Sequence, residues 1–84
     1  VGPNDTGLAL GKRPAVDPVD PDVNAAIARC LAAARAAGKH AGIFCPSGAV
    51  AARRAAEGFD FVVCGNDANL LRAAVTAEVK AARG

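Results

Sequence analysis

Gly38-Lys39-His40-Ala41-Gly42-Ile43-Phe44-Cys45-Pro46-Ser47 is the stretch that decides the fold. Gly38 is a helix terminator, His40 to Cys45 is a short apolar run bounded by Lys39 and Pro46, and Ser47 is of the residue type that caps a following helix. Both alternations of the run are apolar, so it fits a strand covered on both faces and not a half-solvated one. Helix end, buried strand and helix start in ten residues make the joint of a parallel βαβ unit.

Upstream, Asp20-Pro21-Asp22 supplies an N-cap, a proline at the first helical position and an acidic first turn. The helix it opens is expected over Pro21 to Ala37. Val23, Ile27, Cys30, Leu31 and Ala34 fall on one apolar face, with Asn24, Arg29 and Arg35 off it. Downstream, a second helix is expected from Ser47 to Glu57, with Arg53 and Arg54 on a solvated face and Gly58 as its terminator. Phe59 to Cys64 reads as the next buried strand, parallel to the first. Asp67 is expected to cap a last helix over Ala68 to Ala82, with Leu70, Leu71, Ala74, Val75 and Val79 on one face.

The amino-terminal end repeats the strand-to-helix joint. Val1 reads as the last residue of a buried strand, and Gly2-Pro3-Asn4-Asp5 as a tight turn in which Gly2 allows close backbone approach and Pro3 stiffens the chain. Asp5 then either caps a short helical turn over Thr6 to Leu10 or binds a cation. Gly11 to Val19, with Lys12, Arg13, Pro14 and Pro18, reads as a mobile loop that no central strand could tolerate. Gly65-Asn66-Asp67 has the same glycine-then-acid order as Gly2 to Asp5.

Composition narrows the class. With 52% apolar and 21% charged residues the 84-residue chain is globular in type. Much of the apolar count is alanine, so its core is thin for one domain. Together with an opening on Val1 and no leader-like apolar segment, this gives the expectation of a C-terminal fragment of a larger protein. The net charge of +2 is spread along the chain, with no basic footprint for nucleic acid or a membrane surface. Cys30, Cys45 and Cys64 are odd in number and lack CxxC spacing, against both a disulfide framework and a zinc site. Reduced thiols of a cytoplasmic protein are the expectation.

Buried parallel strands alternating with helices leave two α/β architectures, the end of a (β/α)8 barrel or half of a doubly wound sheet. Neither is complete here, since a barrel needs about 250 residues.

Taken in order, Gly2-Pro3-Asn4-Asp5 with Leu8-Ala9-Leu10-Gly11, Asp22-Val23, Ala36-Ala37-Gly38-Lys39 with Gly42-Ile43-Phe44, Gly58-Phe59-Asp60-Phe61-Val62 and Gly65-Asn66-Asp67 before Leu70-Leu71 resemble the C-terminal third of the HpcH/HpaI aldolase family. The resemblance spans essentially the whole chain. It implies a single (β/α)8 TIM-barrel domain of which residues 1–84 are the end of strand 6 through helix 8. It also implies a class II lyase that cleaves a 4-hydroxy-2-oxo acid to pyruvate and an aldehyde, with a divalent cation (Mg²⁺ or Mn²⁺, or Co²⁺) as cofactor and a homo-oligomeric assembly. By the same match Asp5 is a metal ligand, the amides of Asn4 and Asp5 hold the pyruvate carboxylate, and Phe44 faces the substrate pocket. The family's Glu ligand, its Arg and its Asp/His proton-transfer pair have no counterpart here, so no catalytic acid or base is expected in this stretch and the stretch alone should be inert. The family has Leu directly after its metal-binding Asp, where this chain has Thr6-Gly7 before Leu8.

Other uses of these residues stand beside that reading. His40 begins its strand, at the end away from a barrel's active site, and Cys45 and Cys64 read as small core residues. A citrate-lyase- or malyl-CoA-lyase-like carbon-carbon lyase of the same superfamily is an alternative activity. An alternative of another class is a non-catalytic α/β module in which both glycine-then-acid rims are only turns and caps. A Glu-bearing strand about one βα unit, roughly 25 residues, before Gly2 separates the enzyme from the module.

Overall fold

The computed structural model describes residues 1–84. In chain order it contains α1 (Pro3–Ala9), α2 (Pro21–Ala36), β1 (Gly42–Cys45), α3 (Gly48–Glu57), β2 (Phe61–Cys64) and α4 (Asp67–Arg83). The three long helices and both strands match the expected elements. Each strand is two residues shorter than its apolar run, because Asp60 turns back on Ala41. The Ala41 N–H donates to Asp60 Oδ2 (3.0 Å), and the Asp60 and Phe61 N–H groups donate to Ala41 O.

β1 and β2 are parallel, with Gly42 opposite Phe61 and Cys45 opposite Cys64. Val1 adds a third strand end on the other side of β1: its nitrogen donates to Gly42 O (2.7 Å) and its carbonyl accepts from Phe44 N–H (3.1 Å). This is the parallel pattern, so the strands lie side by side in chain order. Ile43 and Cys45 point to one face, where they pack with Val23 and Ile27 of α2 and Ala51 of α3, closed by Ala41 and Phe59. Both crossover helices therefore cover the same face of the sheet. Val23 and Ile27 are essentially fully buried, each contributing about 1.5–3 kcal/mol of apolar burial.

Local chemistry explains where the helices stop. Gly38 (φ +68°) and Gly58 (φ +115°) take the left-handed conformation that side chains resist. Beyond α2, Gly38 N–H donates to Arg35 O and Lys39 N–H to Ala34 O, a Schellman pair that satisfies carbonyls the helix leaves free.

The structure corrects several expectations. Arg54 is buried, not solvated: its guanidinium crosses from α3 to Asn24 Oδ1 of α2 (3.3 Å) and is neutralised by Glu57 Oε2 (3.0 Å). Arg53 is exposed as expected and bonds to Asp17. Expected to be mobile, the Gly11–Val19 loop is tethered at that aspartate, at Pro18 O by Asn24 Nδ2 (2.7 Å), and by Lys12, which pairs with Asp20 (3.4 Å) and Asp22 (3.2 Å). Those two carboxylates, Asp22 foremost, raise the Lys12 pKa. β2 is not buried on both faces: Phe61 lies over Gly42 but stays exposed, and Cys64 is exposed as well. No element covers that edge. α4 buries no residue and leaves Leu70, Leu71, Val75 and Val79 in solvent. Cys30 faces solvent, and Ala26 takes the buried place beside Ile27.

Candidate active site

Because the strands are parallel, Val1, Cys45 and Cys64 end at one rim, and the segments leading to α1, α3 and α4 all start there. The three residues expected at a site come to this rim. Asn4 and Asp5 lie in the first turn of α1, and Phe44 is the penultimate residue of β1. The hydrogen bond from Phe44 N–H to Val1 O sets Phe44 beside Gly2 in the ladder, on the face away from the helices. Phe44 is half-buried.

α1 begins earlier than the sequence led us to expect. Its N-cap is Gly2 and its first residue Pro3, so Asp5 is inside the first turn and does not precede it. Proline suits that place because its missing N–H would find no partner there. The first bonds of the helix run from Thr6 N–H and Thr6 Oγ1 to Gly2 O, both 2.9 Å. The amides of Asn4 and Asp5 come before them and are free of intrahelical acceptors. No side chain caps this end, so Asp5 does not serve as the cap.

Asp5 turns its carboxylate back over Gly2. A Cβ placed on Gly2 would stand 3.0 Å from Asp5 Oδ2, tighter than most real contacts of that kind. A side chain at position 2 would press the carboxylate out of this position by a few tenths of an ångström. Five of the eight acidic residues are in salt bridges, namely Asp17, Asp20, Asp22, Glu57 and Asp60. Asp5, exposed, is not among them.

The second rim uses the same residue types differently. Asn66, not Asp67, is the N-cap of α4: its side chain accepts from Asn69 N–H (2.8 Å). Asp67 is the first helical residue and accepts from Ala68 N–H (2.8 Å). α3 is capped by Ser47, which accepts from Val50 N–H (3.3 Å). Among the rim helices only α1 has a first-turn acid whose carboxylate is bonded to no backbone amide.

Other reactive groups lie elsewhere. His40 is at the opposite end of the sheet, exposed, 3.7 Å from Asp60. Burial raises the pKa of the Cys45 thiol, and its Sγ faces Ile43 O. A groove on the helical side, between α2 and α3, is lined by Ile27, Leu31, Phe59, Arg54 and Arg35 and does not reach the rim residues. No three His, Cys, Asp or Glu side chains gather in a metal-binding cluster. Asp5 offers the oxygen donor a hard cation takes, as one ligand of the several such an ion needs.

No family model matches the chain. Over 83 residues, 99% of its length, it is 46% identical to a hydroxypyruvate/pyruvate aldolase of Rhizorhabdus wittichii, and over 84 residues 44% identical to a hydroxypyruvate/pyruvate aldolase of Chromohalobacter salexigens. It spans 33% and 32% of those two proteins. The chain is thus similar, from end to end, to about a third of each of two proteins named as pyruvate aldolases.

Proposed function

We propose that this chain is the part of a class II, HpcH/HpaI-type aldolase that contributes one metal ligand and the carboxylate-binding amides of its 2-oxo-acid site. The observation that carries the reaction class is the 46% identity to a hydroxypyruvate/pyruvate aldolase over nearly the whole chain. The residue assignment is supported by the uncommitted Asp5 carboxylate and the free amides of Asn4 and Asp5 at one rim. A (β/α)8 barrel is supported by strands adjacent in chain order with both crossover helices on one face.

In this reading the whole protein cleaves a 4-hydroxy-2-oxo acid between C3 and C4, releasing an aldehyde and pyruvate, or hydroxypyruvate where C3 carries a hydroxyl. A divalent cation such as Mg²⁺ or Mn²⁺, when bound, supplies Lewis-acid stabilisation for the oxygen that gains charge as the bond breaks. The Asp5 carboxylate, turned back over Gly2 at the strand end, would hold that cation as one of its ligands. The Asn4 and Asp5 amides fix the substrate carboxylate with oriented dipoles, which adds no net charge beside the cation. Phe44, on the helix-free face beside Gly2, lies along the aldehyde half and limits its bulk. Proton transfer is left to residues outside this chain.

The test is pyruvate release by the full-length protein from 4-hydroxy-2-oxo acids of graded length, with and without chelator. Turnover abolished by chelator and restored by Mg²⁺ or Mn²⁺ is expected. Chelator-resistant cleavage would overturn the metal-dependent class, and no cleavage of any such acid would overturn the aldolase reading.

A further inference from the structure

Cys45 and Cys64 are the last residues of β1 and β2 and are direct partners in the parallel register. Partners in a parallel ladder point to the same face. The pairing does not fray before them, since Gly65 N–H donates to Cys45 O (2.7 Å). Neighbouring strands lie about 4.8 Å apart, inside the roughly 4.4–6.8 Å between Cα atoms that a disulfide spans. Both thiols are free, Cys45 buried and Cys64 exposed.

From this geometry we infer that Cys45 and Cys64 form an oxidisable dithiol, which hydrogen peroxide converts into an intramolecular disulfide between the ends of β1 and β2. This holds independently of the aldolase reading.

The accessible sulfur reacts first. The Cys64 thiolate attacks one peroxide oxygen, forming an S–O bond as the O–O bond breaks, and the departing hydroxide leaves as water. The Cys45 sulfur then attacks the sulfenic sulfur, the S–S bond forms, the S–O bond breaks, and a second water carries away the Cys45 thiol proton. Two thiols and one peroxide give one disulfide and two waters, with two electrons passed to the peroxide. Burial keeps Cys45 protonated, which makes it a poor first nucleophile; adjacency in the ladder supplies the proximity the second step needs. Closing the bridge draws the two Cβ atoms to about 4 Å, a short step for side chains on hydrogen-bonded neighbouring strands.

The full-length protein, treated with hydrogen peroxide, alkylated and digested with trypsin, gives a direct readout. Cleavage after Lys39, Arg53, Arg54 and Arg72 puts Cys45 in the peptide His40–Arg53 and Cys64 in Ala55–Arg72. A linked pair of these peptides is expected from the monomer band of a non-reducing gel, disappearing after dithiothreitol. In Cys64→Ser the link should be absent and Cys45 recovered as the alkylated thiol. Cys30, exposed on α2, is the internal control for a thiol with no ladder partner. Conversion of Cys64 to sulfinic or sulfonic acid while Cys45 stays reduced would overturn the inference. So would a link only between molecules, or peroxide that oxidises Cys30 but leaves both strand-end thiols intact.

Discussion

The two rims Gly2–Asp5 and Gly65–Asp67 use the same residue types and end differently. At the second, Asn66 and Asp67 both spend their side-chain oxygens on backbone amides of α4. At the first, α1 starts on a proline, Asp5 lies too far into the turn to cap it, and its carboxylate folds back over a glycine instead. A glycine-then-acid pattern is therefore not a site in itself. What separates the two is whether the helix has already used the oxygens. Turns and caps describe the second rim, whereas at the first Asp5 is not the cap.

The same substitution at each rim should give the largest contrast. In the full-length protein, Asp5→Asn keeps size and amide but removes the charge, and kcat/KM for pyruvate release should fall at least about 100-fold, the scale of losing one preorganised stabilising group. Asp67→Asn, assayed the same way, should change it by less than about twofold, well inside one unit of RT-scale discrimination. Equal losses would erase the distinction between the rims. Phe44→Ala should come next, broadening acceptance of bulky aldehydes by about 1–3 kcal/mol in relative kcat/KM. An unaltered acceptor profile would take Phe44 out of the site.

Smaller effects should appear in stability and leave metal dependence alone. Asn66→Ala removes the α4 cap and should cost about 1 kcal/mol, read from the denaturant midpoint at constant slope. At the far end of the sheet, the Ala41 N–H, helped by Arg35 and His40, holds the Asp60 pKa below its ordinary 3.8. A lowered pKa means a contribution to stability that is present above the unfolded-state value and lost as pH falls through the folded one. The melting temperature of wild type should therefore drop more steeply than that of Asp60→Asn as pH is lowered below about 4, and Asp60→Asn should match wild type in metal-dependent activity. A parallel pair of pH curves would contradict this.

How much of this was legible in the sequence varied with how local the cause is. α2 is written in Asp20, Pro21 and Gly38, each acting within a turn of its own position, and its bounds were recovered to within a residue. The strands followed from apolar runs between breakers, but Asp60 and Ala41 bond to each other across the sheet, and no single run announces that. Arg54 follows Arg53 in sequence, and its burial is decided by Asn24, thirty residues away on another helix. Choosing Asp67 over Asn66 as the cap was an error of one residue in helical phase, between two side chains equally able to accept. The open face of β2 and α4 was unreadable for a different reason: apolar periodicity records which side of an element is suited to burial, not whether this stretch of chain provides its cover.

The most direct test of the account is Mn²⁺ binding, followed by electron paramagnetic resonance, to full-length wild type and Asp5→Asn at matched fold and concentration. The account predicts that wild type depletes the free-ion signal stoichiometrically, that pyruvate perturbs the bound ion, and that Asp5→Asn loses both while its circular dichroism is unaltered. An Asp5→Asn protein that binds Mn²⁺ with wild-type affinity would contradict it.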